Sequence, residues 1–103
     1  MAPDREVFIN LEPDLRVRFR RSNAPPPVSY TITLESLENG SWIVVRLWDN
    51  ADGADEHHEH EYTRASGKQP PTIRDFATVN EAMAAAIRKA KIDGEEIVRQ
   101  SRT

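Results

Sequence analysis

Residues 15–21 alternate strictly between apolar and basic side chains, and this pattern constrains the fold more than any other feature of the sequence. One side of an extended chain would carry Leu15, Val17 and Phe19, and the other side would carry Arg16, Arg18 and Arg20. A helix would mix these two groups, because its neighbours repeat every three to four residues. The segment is therefore predicted to be a β-strand with one buried side and one basic side.

Four further segments alternate in the same way and are also predicted to be strands. They are residues 6–11, 28–36, 41–49 and 56–64. Glu38-Asn39-Gly40 separates the second and third of these segments and supplies residues that tolerate the left-handed conformation of a hairpin turn. In the strand after this turn, the predicted inward side chains are Ile43, Val45 and Leu47, and the outward ones are Trp42, Val44, Arg46 and Trp48.

Three polar segments are predicted to be loops. Residues 22–27 contain three consecutive prolines, residues 50–55 are acidic, and residues 65–71 contain Gly67, Pro70 and Pro71. Proline removes a backbone donor and excludes a regular ladder. The pattern of residues 72–76 is too short to predict one type of secondary structure.

The C-terminal part of the chain has the spacing of a helix. Thr78-Val79-Asn80-Glu81 matches a capping box, in which the hydroxyl accepts from the Glu81 amide and the carboxylate reaches back. Apolar and small residues then recur at three- and four-residue steps as far as Val98. We expect one helix to about Gln100; the alternative is a break at Asp93-Gly94.

These elements predict a single α+β domain over residues 1–103. It has an antiparallel sheet of four to five strands with the C-terminal helix packed on one face. The other face is expected to be bare and to carry Arg16, Arg18, Arg20, Thr31, Thr33, Trp42, Arg46 and Trp48. Such a face favours a homo-oligomer or a small protein partner.

Composition excludes several classes of protein. The chain has 103 residues and no cysteine, so it can form neither a disulfide framework nor a thiolate metal site. The first residues carry no basic and apolar signal, and no stretch approaches the roughly 18 apolar residues of a membrane helix. We expect a cytoplasmic protein that does not interact with membranes. The net charge of −3 argues against duplex DNA as a partner.

The three histidines of the chain lie within four positions, at His57, His58 and His60. On a strand, His58 and His60 project from the same face, which is one way to place two imidazoles on a divalent metal. Asp49, Asp52 or Asp55 could add an oxygen ligand. One alternative without a ligand is a solvated edge strand whose charged residues prevent pairing with other chains. Another is a contact that responds to pH through the histidines.

The same histidines also fit acid–base chemistry. His58 and His60, with Arg46 stabilising a phosphate, would suit RNA cleavage that needs no metal. The outward arginines and tryptophans would in turn hold phosphates and stack bases. The residues leave open whether the protein is an enzyme.

The stretch from Arg46 to Tyr62 resembles a family. An Arg-x-Trp/Tyr-Asp-Asn-Ala core followed by a His-x-His pair is similar to the TumE-like small bacterial proteins, which are found beside an antitoxin partner, and to related short proteins. The matching residues are Arg46, Trp48, Asp49, Asn50, Ala51, His58 and His60. This chain has Asp52-Gly53-Ala54-Asp55 where those proteins tend to have proline and histidine.

The resemblance implies a toxin-like component of a two-protein pair, or a protein of no assigned activity. Together with the bare sheet face, the resemblance favours an interaction or regulatory module as the first hypothesis for the function. RNA cleavage and a metal site at His58 and His60 are the alternatives. The binding face is expected to comprise Arg16, Arg18, Arg20, Trp42, Trp48, Asp49 and Asn50.

Overall fold

The computed structural model describes residues 5–22, 29–50 and 56–102. Within these residues the chain forms one antiparallel sheet of seven strands and then one helix. The elements are β1 (Arg5–Glu12), β2 (Leu15–Arg21), β3 (Tyr30–Glu38), β4 (Ser41–Asp49), β5 (His57–Thr63), β6 (Gly67–Lys68), β7 (Thr72–Arg74) and α1 (Val79–Ser101). The predicted α+β class is confirmed.

Strand order follows chain order from β1 to β6, and β7 pairs with the same edge of β5 as β6 does. The predicted count of four to five strands is too low, since the sheet of the described residues has seven. The two additional strands span two and three residues. Such pieces are too short to show an alternating pattern, and prolines 70 and 71 lie between them.

The helix begins and ends close to its predicted limits. The Thr78 hydroxyl accepts from the Glu81 amide at 3.1 Å, and the Glu81 carboxylate accepts from the Ala77 amide at 3.2 Å. The helix continues through Gly94 to Ser101. A Cβ at Gly94 would lie 3.1 Å from Cδ2 of Leu15, so the glycine allows α1 to approach β2 closely. This contact offsets its low helix propensity.

The core lies between α1 and one side of the sheet, called here the helix face. Its central side chains are Val17, Ile32 and Leu34 from the strands, which pack with the small residues Ala86 and Ala90 of α1. The opposite side of the sheet, called here the open face, carries no helix within the described residues. No helix in this part of the chain is long and apolar enough to cross a bilayer.

A β-bulge at Val45 reverses the two faces along β4. Leu34 pairs with Arg46 and Glu35 with Val44, so Val45 is an extra residue between them. Because a bulge inserts one residue, every later side chain moves to the other side of the sheet. The predicted inward position of Leu47 is therefore wrong, while Val45 is buried as expected.

The bulge also overturns the outward positions predicted for Arg46 and Trp48. Both lie on the helix face and are only 5% and 6% exposed. Trp42 precedes the bulge and stays on the open face, opposite Leu37. The predicted proline loop at 25–27 and the acidic residues Asp52 and Asp55 lie outside the described residues.

Candidate functional site

The β-bulge at Val45 also brings Asp49 beside His58 and His60. In the β4–β5 ladder Asp49 pairs with His58, and Leu47 pairs with His60. All three polar side chains therefore share the open face, and their ligand atoms lie within 4.8 Å of one another. The sequence predicted the two histidines on one face, with Asp49 as one of three candidate oxygen ligands.

The His58 ring lies between two carboxylates. Its Nδ1 is 3.2 Å from Oδ1 of Asp49, and its Nε2 is 3.0 Å from Oε1 of Glu56. The hydrogen bond with Glu56, followed by the contact with Asp49, outweighs burial and raises the pKa of His58 above its usual value. The ring thus carries its positive charge to higher pH than an isolated histidine.

The His60 ring is oriented by the backbone. Its Nδ1 lies 3.0 Å from the carbonyl oxygen of Gln69, which can only accept. Nδ1 must therefore hold the proton of this bond, which leaves the lone pair of the neutral ring on Nε2. A histidine held in this way is typical of metal sites, where an acceptor fixes the tautomer of the ligand.

Two imidazoles and one carboxylate on neighbouring strands form an incomplete coordination shell. Zinc bonds of about 2.0–2.2 Å at a tetrahedral angle place two ligand atoms about 3.3–3.6 Å apart. Oδ1 of Asp49 and Nδ1 of His58, at 3.2 Å, lie slightly closer together than this. The His60 ring centroid is 6.2 Å from that of His58, and the ligand atoms of the three residues lie within 4.8 Å of one another.

Arg46 does not lie with the two imidazoles. It is on the helix face, where its Nη1 is 2.5 Å from Oε2 of Glu59 and its Nη2 is 3.5 Å from Oε1 of Glu61. Its predicted position as anion stabiliser beside His58 and His60 is therefore incorrect. The reason is the bulge, which turns Arg46 into the core.

The Glu59 carboxylate contacts three cationic side chains on the helix face. Besides Arg46, its carboxylate contacts Nζ of Lys89 at 2.8 Å and Nε of Arg74 at 3.4 Å. Burial alone would raise the pKa of this side chain, but the hydrogen bonds from Lys89 and Arg46 outweigh it and lower the pKa. Sequence reasoning missed this cluster, because its members come from four separate elements.

The predicted arginines lie on the open face, and each of them contacts a carboxylate. Arg16 donates to Glu35 at 2.7 Å, and its guanidinium lies 4.0 Å from the centroid of the Trp42 ring and 4.7 Å from that of Phe8. Arg18 and Arg20 both contact Glu6. With Asp49, five of the seven predicted binding-face residues are thus on the open face, and Phe8 is an addition that the sequence did not suggest.

Asn50, like Arg46, does not lie on the open face. It is fully buried, and its Oδ1 accepts from the Tyr30 amide at 3.0 Å. The side chain thus caps the start of β3. Trp48 and Asn50 are corrections to the predicted binding face, whereas Asp49 lies where it was expected.

Two further polar side chains, those of Tyr30 and His57, lie beneath the helix. The Tyr30 hydroxyl is 2.9 Å from Nδ1 of His57, and both side chains are buried. They border a cavity of about 250 Å³ together with Trp48, Phe76 and Lys89. The signal for His57 was its position directly before His58, which on a strand sends it to the opposite face.

Comparisons of the chain with protein-family models, with curated proteins and with solved structures found no match. The resemblance to the TumE-like proteins therefore stays a prediction based on residues 46–62, and the geometry of the site carries the functional argument.

Proposed function

We propose that this protein is a metal-binding domain that holds a divalent transition metal through Asp49, His58 and His60. The observation that carries this proposal is the convergence of the three ligand atoms within 4.8 Å on one sheet face. Two imidazole nitrogens and one carboxylate oxygen suit zinc, nickel or cobalt. Three protein ligands leave at least one coordination position for water or for a partner's side chain.

The surroundings of the three ligands support the proposal. Gln69 fixes the tautomer of His60, and Glu56 is placed to accept from Nε2 of His58 once Nδ1 binds the metal. Such outer partners orient ligating rings and increase their basicity. All three ligands are partly exposed, so a cation can reach them from solvent.

Calorimetric titration with zinc chloride tests the proposal. We expect one zinc per chain and a higher melting temperature with zinc or nickel. Both effects should be lost in the His58→Ala/His60→Ala double variant and weakened at least tenfold in Asp49→Asn. Asp14→Asn makes the same change in an exposed turn and is the matched control. Unchanged binding in the double variant would exclude the site.

RNA cleavage without a metal is the second candidate, and the surroundings of the two rings favour it. His58, whose pKa is raised by Glu56 and Asp49, would supply the acid, and Nε2 of His60 would offer its lone pair as the base. Arg18 and Arg20 lie in the same cross-strand rows as His60 and His58, three strand spacings or about 14 Å away. They would bind flanking phosphates in place of Arg46.

RNA degradation in excess EDTA separates the two candidates. Cleavage that survives EDTA and disappears in the His58→Ala/His60→Ala variant would support acid–base chemistry. Cleavage that requires added zinc would support the metal site. An RNA that stays intact in both conditions would exclude nuclease activity and leave metal binding to the calorimetric test.

An interaction role, in a toxin–antitoxin-like pair or a homodimer, uses another part of the open face. Phe8 and Leu37 are exposed there, and Arg16 lies between the Phe8 and Trp42 rings. Aromatic residues and arginine are enriched at protein contacts. The mass of the chain under native conditions tests self-association, and Phe8→Ser/Leu37→Ser should return a dimer to the monomer.

A further inference from the structure

The cavity beneath the helix is a second feature of the fold, and of the three proposed metal ligands it borders only His58. It has a volume of about 250 Å³ and lies between β5, β7 and the first half of α1. This volume is just below the roughly 300 Å³ at which pockets for drug-sized molecules begin. A molecule that fits this cavity would therefore be small.

Aromatic rings form much of its wall. The Tyr30 and His57 rings stack with their centroids 5.9 Å apart, and the Phe76 ring meets His57 edge-on at 5.6 Å. Trp48 also borders the cavity, and its side chain is almost fully buried. Flat rings in fixed orientations favour a planar apolar body over a flexible chain.

The rim of the cavity carries an excess of positive charge. Lys89 and Arg74 border it, and both contact the carboxylate of Glu59, which also pairs with Arg46. Counting Glu61, which contacts Arg46, three cations face two carboxylates. The Arg74 and Lys89 side chains are 51% and 34% exposed, so they retain donors for an incoming anion.

His57 adds a buried polar atom to this wall. Its ring is in a residue only 4% exposed, and within the described ranges its one hydrogen bond joins Nδ1 to the Tyr30 hydroxyl. Burial raises the pKa of Tyr30 to about 12, so the phenol keeps its proton at neutral pH and can donate to Nδ1.

We propose that the cavity binds a small aromatic carboxylate. Its ring would lie against Trp48 and Phe76, and its carboxylate would accept from Lys89 and Arg74. A neutral aromatic molecule would leave the excess positive charge of the rim uncompensated, and a small anion without a ring would leave the aromatic wall uncovered. Both should bind more weakly.

Fluorescence of Trp48 tests this proposal directly. The Trp42→Phe variant leaves Trp48 as the one tryptophan of the chain, and benzoate, benzamide and acetate are the probes. We expect benzoate to change the emission of Trp48 with saturation in the millimolar range or below, and benzamide and acetate to bind at least tenfold more weakly. Equal affinity for benzoate and benzamide would overturn the anion assignment.

Two charge variants locate the carboxylate. Lys89→Gln and Arg74→Gln should each weaken benzoate binding at least threefold, whereas Lys91→Gln, an exposed change on the same helix, should not. Amide chemical shifts of the unchanged chain give an independent measurement if a variant folds poorly. Benzoate should shift His57, Phe76 and Ala86; no shift at these residues would contradict the proposal.

Discussion

Oδ1 of Asp49 lies 3.2 Å from Nδ1 of His58 across the β4–β5 ladder. The bulge at Val45 produces this contact, because without the extra residue Asp49 would point toward the helix. One inserted residue therefore places the carboxylate with the two imidazoles and sends Arg46 and Trp48 into the core.

The charge state of His58 in the metal-free protein gives the first prediction. Glu56 and Asp49 raise the pKa of this ring above its usual value of 6.5. Glu56→Gln should lower it, because the largest cause is removed. Since the folded pKa is raised, the ring stabilises the fold below its unfolded pKa, and this contribution is lost as pH rises through the folded pKa. NMR titration of the imidazole protons measures the shift; an unchanged value in Glu56→Gln would contradict it.

Glu59→Gln should destabilise the fold by about 3 kcal/mol, because it leaves the buried Arg46 guanidinium with only the longer contact to Glu61. Glu61→Gln is the matched control, since its side chain is 61% exposed, and it should cost less than about 1 kcal/mol. Urea unfolding measures both values. Equal losses would show that burial of the ion pair does not matter.

The stability of the protein should also fall in acid because of Glu59. Its pKa is lowered in the folded state, so its contribution is present above the unfolded value of about 4.3 and is lost as pH falls through the folded pKa. Between pH 5 and acid unfolding, Glu59→Gln should show a flatter decline in free energy of unfolding than the parent chain. Parallel declines would exclude this carboxylate as a source of acid sensitivity.

Asn50→Ala should cost about 1–3 kcal/mol, because the buried Tyr30 amide loses its acceptor. Asn80→Ala makes the same change at an exposed position in the first turn of α1 and should be close to neutral. Thermal unfolding of the two variants provides the comparison. A neutral Asn50→Ala would argue against Asn50 as the cap of β3.

Gly94→Val should destabilise the protein by about 2 kcal/mol, because a Cβ at this position already lies 3.1 Å from Leu15. Asp93→Val is the control, since it adds a β-branched residue to the exposed side of the same helix. The difference in urea midpoint between the two variants isolates the packing cost. A smaller loss for Gly94→Val than for Asp93→Val would mean that α1 does not pack closely on β2.

Most of the fold could be predicted from local pattern. Leu15, Val17 and Phe19 identify β2, and Thr78 with Glu81 identifies the start of the helix, because each signal depends on neighbours in the sequence. The bulge could not be predicted in this way. Trp42 to Trp48 remain strongly apolar on both sides, so either phase gives a plausible core, and pairing with β3 decides between them.

The candidate site, like the fold, could be predicted only where the signal lies in neighbouring residues. His58 and His60 were identified by their spacing, which is local, and Asp49 was one of three candidates that only the register could separate. Glu59 lies between the two histidines, but its partners Arg46, Arg74 and Lys89 come from β4, β7 and α1. No local pattern brings these residues together.

Anomalous scattering at the zinc edge, measured on a crystal of the protein grown with zinc, shows whether the three side chains bind the metal. We expect one peak on the open face within about 2.0–2.2 Å of Asp49, His58 and His60. An ordered site without a peak at saturating zinc, or a peak that involves none of these three side chains, would contradict it.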